Sequence, residues 1–155
     1  MIIREATPDD AEQMIAHVQR LASEPESNIP LMPGEFQVTV DEERNLLEKY
    51  AAADNSVFLV AEDNGRIVGV LNCNGGKRQA ARHSVVLGMS VAREWRNRGV
   101  GGKLLSSAIE WANSIQQSRA GERVPTGCPL FFHYEASIAD GPFSDRTNSK
   151  RRHKQ

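Results

Sequence analysis

The chain has 155 residues, 25% of them charged, and a formal net charge of −1. This length suits one domain with a buried core, and the balanced charge gives no reason to expect nucleic acid or a membrane surface as the main partner. No apolar run approaches the roughly 20 residues that span a bilayer. Cys73 and Cys128 lie outside any Cys-x-x-Cys pattern, so neither a disulfide framework nor a metal site is expected.

The first and last residues of the sequence differ in character. The opening Met-Ile-Ile-Arg-Glu-Ala lacks the basic-then-apolar layout of a signal peptide, so the expected location is the cytoplasm. The basic run at 150–155 is more typical of a solvated tail than of a nucleic-acid contact.

The first predicted elements are a short strand at Ile2 and Ile3 and a helix that begins near Thr7. Thr-Pro-Asp-Asp at 7–10 offers a cap, a proline at the first helical position and acids near the positive end of the dipole. Apolar residues at helical spacing then predict one buried face: Ala11, Met14, Ile15, Val18 and Leu21. Residues 24–37, rich in proline, are predicted to form a loop.

The middle of the chain predicts a second helix followed by three strands. Thr39 and Glu42 have the spacing of a capping box, and the helix they begin continues through Leu46, Leu47 and Tyr50. Strands are predicted at 57–61, 67–73 and 83–91, and the first two are joined by an Asn64-Gly65 hairpin turn. Gly88 within the third strand predicts a bulge or a close backbone approach.

The last clear element is an amphipathic helix over 100–115. The order is therefore β-α-α-β-β-β-α, and the hairpin excludes a purely parallel sheet. This order defines an α/β fold with a mixed sheet. After Ile115 the composition changes to Ser, Arg, Gly and Pro, and only 129–134 resembles a further strand.

A glycine-rich turn before that helix carries the most informative chemistry. It contains Arg96-Asn-Arg-Gly99-Val-Gly101-Gly102-Lys103, where glycines let several backbone N–H groups point at one place. The first helical turn adds unpaired N–H donors and the positive end of its dipole. With three nearby cations, this pattern predicts a pyrophosphate site. The alternative is that the glycines only allow close helix–strand packing and the arginines face water.

Two other phosphate-binding patterns are excluded at this turn. A P-loop requires Ser or Thr after Lys103, but Leu104 stands there. A dinucleotide fingerprint requires a third glycine at the same position and a βαβ context, and neither is present.

The motif Arg96-x-x-Gly99-x-Gly101 resembles the signature of the GNAT N-acetyltransferase superfamily. Ile3-Arg4-x-Ala6-Thr7-x-x-Asp10 and the hairpin around Gly65 are also similar to that family. The likeness covers about residues 1–115 and implies a V-splayed mixed sheet, acetyl-CoA as cosubstrate and an amine as acceptor, with a homodimer left open. It also implies a cofactor site at Met89, Ser90 and Val91 for the pantetheine arm, and at Arg96, Asn97, Arg98, Gly99, Val100, Gly101, Gly102 and Lys103 for the pyrophosphate.

No catalytic base or acid can be assigned from the sequence. Glu35 in the predicted loop and His83 at the start of a strand are weak candidates for substrate contact, and solvated or packing roles are the alternatives. Cys73, Trp95 and Trp111 are interpreted as packing residues.

The segment 116–155 departs from the family pattern. The resemblance implies a further strand and an Asn-x-x-Ala-x-x-Leu-Tyr-x-x-x-Gly-Phe segment whose tyrosine is the usual general acid, but Tyr134 is not in that context. Our hypothesis is that this segment is frameshifted, disordered or divergent, leaving the C-terminal β-α-β part incomplete or altered. Three functions stay open: an N-acetyltransferase, a degenerate module that binds coenzyme A without catalysis, and a scaffold or nucleic-acid contact protein that uses the basic end of the chain.

Overall fold

The computed structural model describes residues 1–25, 34–75, 84–118 and 131–134. The helices are α1 (Ala11–Ala22), α2 (Val40–Ala52) and α3 (Val100–Ser118), and short 3₁₀ turns cover Pro8–Asp10 and Arg93–Trp95. The strands are β1 (Ile2–Glu5), β2 (Ser56–Asp63), β3 (Arg66–Gly75), β4 (Ser84–Val91) and β5 (Phe131–Tyr134). The predicted order of elements is confirmed, and β5 lies within the strand expected at 129–134.

The strands form a mixed sheet in the order β1-β2-β3-β4-β5. The first four pair antiparallel, whereas β5 lies parallel to β4. Parallel neighbours need a crossover connection, and α3 provides the helical part of it. The predicted mixed sheet is therefore confirmed.

The pairing of β4 with β5 covers only half of β4. It runs from Ser84 opposite Phe131 to Leu87 opposite Tyr134. Within the described part of the chain, residues 88–91 have a strand neighbour only on the β3 side. This stretch of β4, which we call the free edge, points toward the turn that precedes α3.

Side-chain hydrogen bonds fix the 3₁₀ turn that leads into α1 and cap the start of α2. The Asp10 carboxylate accepts hydrogen bonds from the backbone N and the Oγ1 of Thr7, at 2.7 and 3.1 Å, and the 3₁₀ turn then passes into α1. In α2 the predicted capping box is confirmed: Glu42 N donates to Thr39 Oγ1 at 3.2 Å, and Thr39 N donates to Glu42 Oε2 at 2.8 Å.

The β2–β3 hairpin turns at Asn64 and Gly65, as predicted. Both have positive φ, 49° and 77°, as a type I′ turn requires. The sheet's irregularity lies at Ala61/Glu62, where the β2–β3 register shifts, whereas the β3–β4 register continues past Gly88 without a shift. Gly88 is instead a place of close approach, because a Cβ there would lie 2.7 Å from Asn72 Oδ1. The approaching group is a side chain rather than backbone.

The two faces of the sheet have different cores. The face covered by α3, called here the α3 face, buries an apolar cluster of Val57, Leu59, Ala61, Val68, Leu71, Cys73, Val85, Leu87, Val100, Leu104 and Ala108. The opposite α1–α2 face buries Ala6, Ala11, Met14, Leu47, Val60, Ile67 and Val70. The predicted packing roles of Trp95, Trp111 and Cys73 are confirmed on the α3 face. Burial raises the pKa of the Cys73 thiol to about 12, which keeps it neutral.

The helical faces differ slightly from those predicted. In α1 the side chain of His17 is buried and that of Val18 only half-buried, so the helix turns a polar residue toward the sheet. In α2 Glu43 is buried with Leu47 and Tyr50, while Leu46 is half-buried. Hydrophobic spacing alone did not identify either polar residue.

Candidate functional site

The free edge of β4 is the first part of the site. Met89 and Val91 pack against the core of the α3 face, so Ser90 between them points to the α1–α2 face. The β3 side of this stretch is already paired, with Leu71 opposite Met89 and Val70 opposite Ser90. Backbone groups that point away from β3 can therefore bond an extended ligand laid alongside the strand.

The turn after β4 is fixed by short backbone hydrogen bonds. Ala92 N donates to Val68 O at 2.9 Å, which ties the end of β4 to β3, and Trp95 N donates to Ala92 O at 2.8 Å. Asn97 and Gly99 then take positive φ values of 59° and 79°, which reverse the chain into α3.

The first turn of α3 closes on Gly99. Lys103 N donates to Gly99 O at 3.1 Å, whereas the N–H groups of the residues between them precede the first intrahelical bond and have no acceptor within the helix. The positive end of the helix dipole lies at the same place. This arrangement suits an anion such as a pyrophosphate.

The three glycines of the turn have different surroundings. A Cβ added at Gly101 would lie 3.3 Å from Met89 Cε, so this glycine lets α3 approach β4. Added Cβ atoms at Gly99 and Gly102 would meet nothing within 4 Å. The packing alternative therefore applies to Gly101, while Gly99 and Gly102 border open space. The residues present fit a phosphate-bearing cofactor.

The predicted cations divide into separate roles. Arg96 Nε donates to Val91 O at 3.0 Å, and its guanidinium forms an ion pair with Glu24 Oε2 at 2.5 Å. Glu24 also accepts from the backbone N of Arg93 at 3.3 Å. Arg96 thus braces the turn against the end of α1. Its Nε and one terminal nitrogen are occupied by protein groups.

The other two cations stay at the surface of the turn. The Arg98 guanidinium lies 5.5 Å from the centre of the Trp95 ring, within range of a cation–π contact. Lys103 is exposed one turn into α3. Arg98 and Lys103 are thus both exposed cations close in sequence to Gly99 and Gly102.

A buried histidine contacts the free edge from the other side. His17 in α1 is 1% exposed, and its Nε2 lies 3.0 Å from Ser90 Oγ. Desolvation lowers the pKa of His17 to about 4, so the ring is neutral near physiological pH. Its Nδ1 is the buried side-chain nitrogen that has no hydrogen-bond partner within the described residues.

A second polar group lies between α2 and β3. Asn72 Nδ2 donates to the Tyr50 hydroxyl at 3.2 Å, and Tyr50 packs edge-on against Phe58 at 5.1 Å between ring centres. Glu43 lies on the same buried face of α2, where burial raises the pKa of its carboxyl group. Burial also raises the pKa of Tyr50, with a smaller contribution from Glu43.

The predicted cofactor residues Met89–Val91 and 96–103 therefore come together at the junction of β4 and α3. Of the two predicted substrate residues, Glu35 is exposed just after Gly34, and His83 lies outside the described residues. No cluster of three potential metal ligands is found among the residues that the structure describes.

His17, Glu43 and Asn72 were missed because each lies within a pattern that predicts packing. His17 falls three residues after Met14 and four before Leu21, and Glu43 falls four before Leu47, all on buried faces. A polar residue inside an apolar stripe was the available signal.

Comparisons with known proteins agree with the mixed α/β fold. The model of the acetyltransferase (GNAT) family matches residues 19–121. No curated protein sequence matches the chain.

Three solved structures illustrate the likeness. A GNAT-family acetyltransferase from Streptococcus pneumoniae superposes with a TM-score of 0.68 and 34% identity, over 74% of this chain and 67% of that one. Ribosomal-protein-alanine N-acetyltransferase from Brucella melitensis has a TM-score of 0.58 and 26% identity, over 76% and 68%. The structure of yncA from Salmonella typhimurium, solved with its cofactor acetyl-CoA, shares the fold with a TM-score of 0.60 and 22% identity, over 74% and 64%. This chain spans about two thirds of the length of these structures.

Proposed function

Because this chain belongs to the GNAT acetyltransferase family, whose cosubstrate is acetyl-CoA, we propose that it transfers an acetyl group to a primary amine of a small molecule or a protein. The observation that carries the proposal is the free edge of β4 running directly into an open, glycine-lined helix start. The first offers an extended set of backbone hydrogen bonds and the second an anion site. An elongated ligand with a pyrophosphate partway along it can use both features, with its pyrophosphate at the anion site and its extended arm along the strand.

The cofactor would lie with its pyrophosphate at Gly99, Gly102 and the first N–H groups of α3, and with its pantetheine arm along residues 88–91. Lys103 would supply a cation at the phosphate end. Arg96 would act indirectly, since its bonds to Glu24 and Val91 O hold the turn in shape. When bound, acetyl-CoA supplies the thioester that an amine attacks.

An amine acceptor must lose a proton to become a nucleophile, and Glu43 is our candidate for the base. Among the acidic, basic and histidine side chains of the described part of the chain, those of Asp10, His17 and Glu43 are buried. Asp10 is bound by Arg4, and His17 has a pKa of about 4, which makes it a weak base. Glu43 lies on the buried face of α2 with Tyr50, whose hydroxyl contacts Asn72 opposite Gly88 of the free edge, and burial raises the pKa of the Glu43 carboxyl group.

The cofactor placement can be tested with two variants of equal size. Gly102→Asp and Gly102→Asn differ by one negative charge at a position that borders open space. A carboxylate at the start of α3 stabilises the helix through its interaction with the positive end of the dipole, but it repels a pyrophosphate. We therefore expect the Asp variant to unfold at equal or higher urea than the Asn variant and to bind coenzyme A at least tenfold more weakly in calorimetry.

Asn113→Asp is the matched control, because it adds the same charge on the exposed side of the same helix, about 16 Å further along. It should leave coenzyme A binding unchanged. Equal affinities for the two Gly102 variants would exclude the phosphate from this turn.

The reaction itself is tested by release of free thiol from acetyl-CoA in the presence of small amines and of peptides with a free N-terminus. Release that depends on the amine supports the transferase. Binding of acetyl-CoA without release for any amine would support the degenerate coenzyme A module instead.

The segment 116–155 is where the family resemblance implies a tyrosine that acts as the general acid. We propose that 116–155 is an altered end of the GNAT domain formed by residues 1–115, as its change of composition suggests. Reading the coding DNA in the other two frames tests this. A Leu-Tyr-x-x-x-Gly-Phe segment there supports a frameshift, and its absence from both frames excludes one.

A further inference from the structure

The pair formed by His17 and Ser90 joins α1 to the free edge of β4. The imidazole is fully enclosed, and its Nδ1 has no partner within the described part of the chain. An unsatisfied buried polar atom destabilises the folded state. A leucine would fill a similar volume in this apolar stripe without that cost. The histidine is therefore better explained by what its Nε2 does for Ser90.

The location of the imidazole proton follows from the same contacts. A neutral imidazole has one N–H donor and one bare acceptor nitrogen. Buried N–H groups without a partner are rarer than under-satisfied acceptors, so the unpartnered Nδ1 is assigned as the bare nitrogen. Nε2–H then donates to Ser90 Oγ across the 3.0 Å contact. The hydroxyl hydrogen of Ser90 is left to donate to another group.

Ser90 lies at a defined point along the free edge. It precedes Val91, whose carbonyl is bound by Arg96 at the turn, and it follows Gly88 and Met89. A ligand that begins at the turn and follows β4 passes Ser90 before it reaches Gly88. The part of coenzyme A between the pyrophosphate and the sulfur contains amide groups, whose carbonyl oxygens accept hydrogen bonds.

We propose that His17 is a positioning residue, which orients the Ser90 hydroxyl so that it donates to an amide carbonyl of the pantetheine arm. This inference rests on the cofactor placement proposed above. It assigns no charge and no proton transfer to the imidazole. It explains why a neutral, enclosed histidine stands in α1 where the helix contacts Ser90 of the free edge.

The test compares two ligands. Coenzyme A contains the pantetheine arm, whereas adenosine 3′-phosphate 5′-diphosphate carries the phosphates without it. Removing one neutral hydrogen bond should weaken binding of coenzyme A about three- to tenfold. We expect that loss in Ser90→Ala and in His17→Leu, with unchanged binding of the nucleotide, in calorimetry on the whole chain.

His17→Gln is the conservative control, because a glutamine amide nitrogen can occupy the position of Nε2. It should restore coenzyme A binding to within about twofold of the wild type, and the double variant Ser90→Ala/His17→Leu should bind no more weakly than either single variant. If His17→Leu does not fold, Ser90→Ala still tests the proposal, because unchanged coenzyme A binding in that variant overturns it.

Equal losses for both ligands would mean that the pair only supports the turn, and unchanged coenzyme A binding in Ser90→Ala would mean that the hydroxyl does not contact the arm. Either result overturns the proposal. Failure of the underlying cofactor placement gives a different pattern, since Gly102→Asp and Gly102→Asn would then bind both ligands equally well.

Discussion

The two faces of the sheet bury different kinds of side chain. On the α3 face, the buried cluster is entirely apolar, and even its cysteine is a neutral packed thiol. On the α1–α2 face, the apolar cluster is smaller and is accompanied by the three acidic or histidine side chains that are buried in the described chain, those of Asp10, His17 and Glu43. Both faces bury apolar side chains, and within the described residues the α1–α2 face also buries acidic and histidine side chains.

This difference follows from what each face must do. Apolar packing stabilises the folded state in proportion to the area removed from water, and an unpaired polar group buried within it lowers that stability. A site for an amine and a cofactor needs polar groups at fixed positions, each of which reduces stability unless it finds a partner. Asp10 has Arg4 as its partner, His17 has Ser90 at one nitrogen, and burial without a cation raises the pKa of Glu43.

The largest effect is expected on the α3 face. Leu104 is fully buried and packs on β3, where a Cβ at Gly69 would lie 3.2 Å from its Cδ1. Leu104→Ala should lower the free energy of unfolding by about 2–5 kcal/mol, measured in urea. Leu105→Ala, at a neighbouring position that is 38% exposed, is the control and should change it by under about 1 kcal/mol. Similar losses in both variants would contradict the assignment of the buried helix face.

Arg4→Ala tests the ion pair of the other face. Arg4 makes two hydrogen bonds of 2.7 Å to Asp10 and one of 2.8 Å to Glu62. Its loss leaves the buried carboxylate of Asp10 without its main partner and should reduce stability near pH 7 by about 1–3 kcal/mol. Urea unfolding measures the change, and Arg44→Ala, at an exposed ion pair within α2, is the control.

The pH dependence of the same variant gives a second check. The hydrogen bond from Arg4 holds the pKa of Asp10 below its ordinary value of 3.8. A lowered pKa in the folded state means that the stabilisation is present above the unfolded pKa and is lost as pH falls through the folded one. Wild-type stability should therefore decline more steeply in acid than that of Arg4→Ala. Parallel curves would show that Asp10 is not the group responsible.

Glu43→Gln should affect stability and activity in opposite directions. Burial raises the pKa of Glu43, so the folded state loses stability as pH rises from the ordinary value of 4.5 through the folded pKa. The neutral amide removes this loss and should raise stability at neutral pH by about 1 kcal/mol. If Glu43 is the base, kcat should fall at least a hundredfold.

Glu48→Gln is the matched control for that variant, since Glu48 lies on the exposed side of the same helix. It should change neither quantity measurably. A Glu43→Gln protein that is more stable and fully active would remove Glu43 from the mechanism while leaving its buried state intact.

The smallest effect on stability is expected at a surface ion pair. Arg66 and Glu94 lie 3.0 Å apart, and both side chains are 53% exposed. A double-mutant cycle with Arg66→Ala and Glu94→Ala should give a coupling of under about 1 kcal/mol that decreases with salt. A larger coupling energy would mean that the Arg66–Glu94 pair stabilises the protein more than exposed ion pairs ordinarily do.

Much of the fold could be predicted because its signals are local. The Thr39–Glu42 cap, the Asn64-Gly65 turn and the glycines before α3 each act within a few residues, and the structure places all three as expected. The prediction of the buried face of α1 was less accurate, because Val18 and His17 both lie near the edge of the apolar stripe. Only the neighbouring strand decides which of them is enclosed.

The sequence by itself determined the order of elements, the capping box of α2, the hairpin turn and the glycine-rich turn before α3, since each depends on backbone preferences of adjacent residues. The tertiary structure decided the roles of individual side chains. Arg96 meets Glu24 across 72 residues and His17 meets Ser90 across 73. Contacts over such separations depend on how helices pack on the sheet, and no local preference encodes them. For this reason the turn was recognisable from its residues, whereas the brace behind it and the histidine beneath it were not.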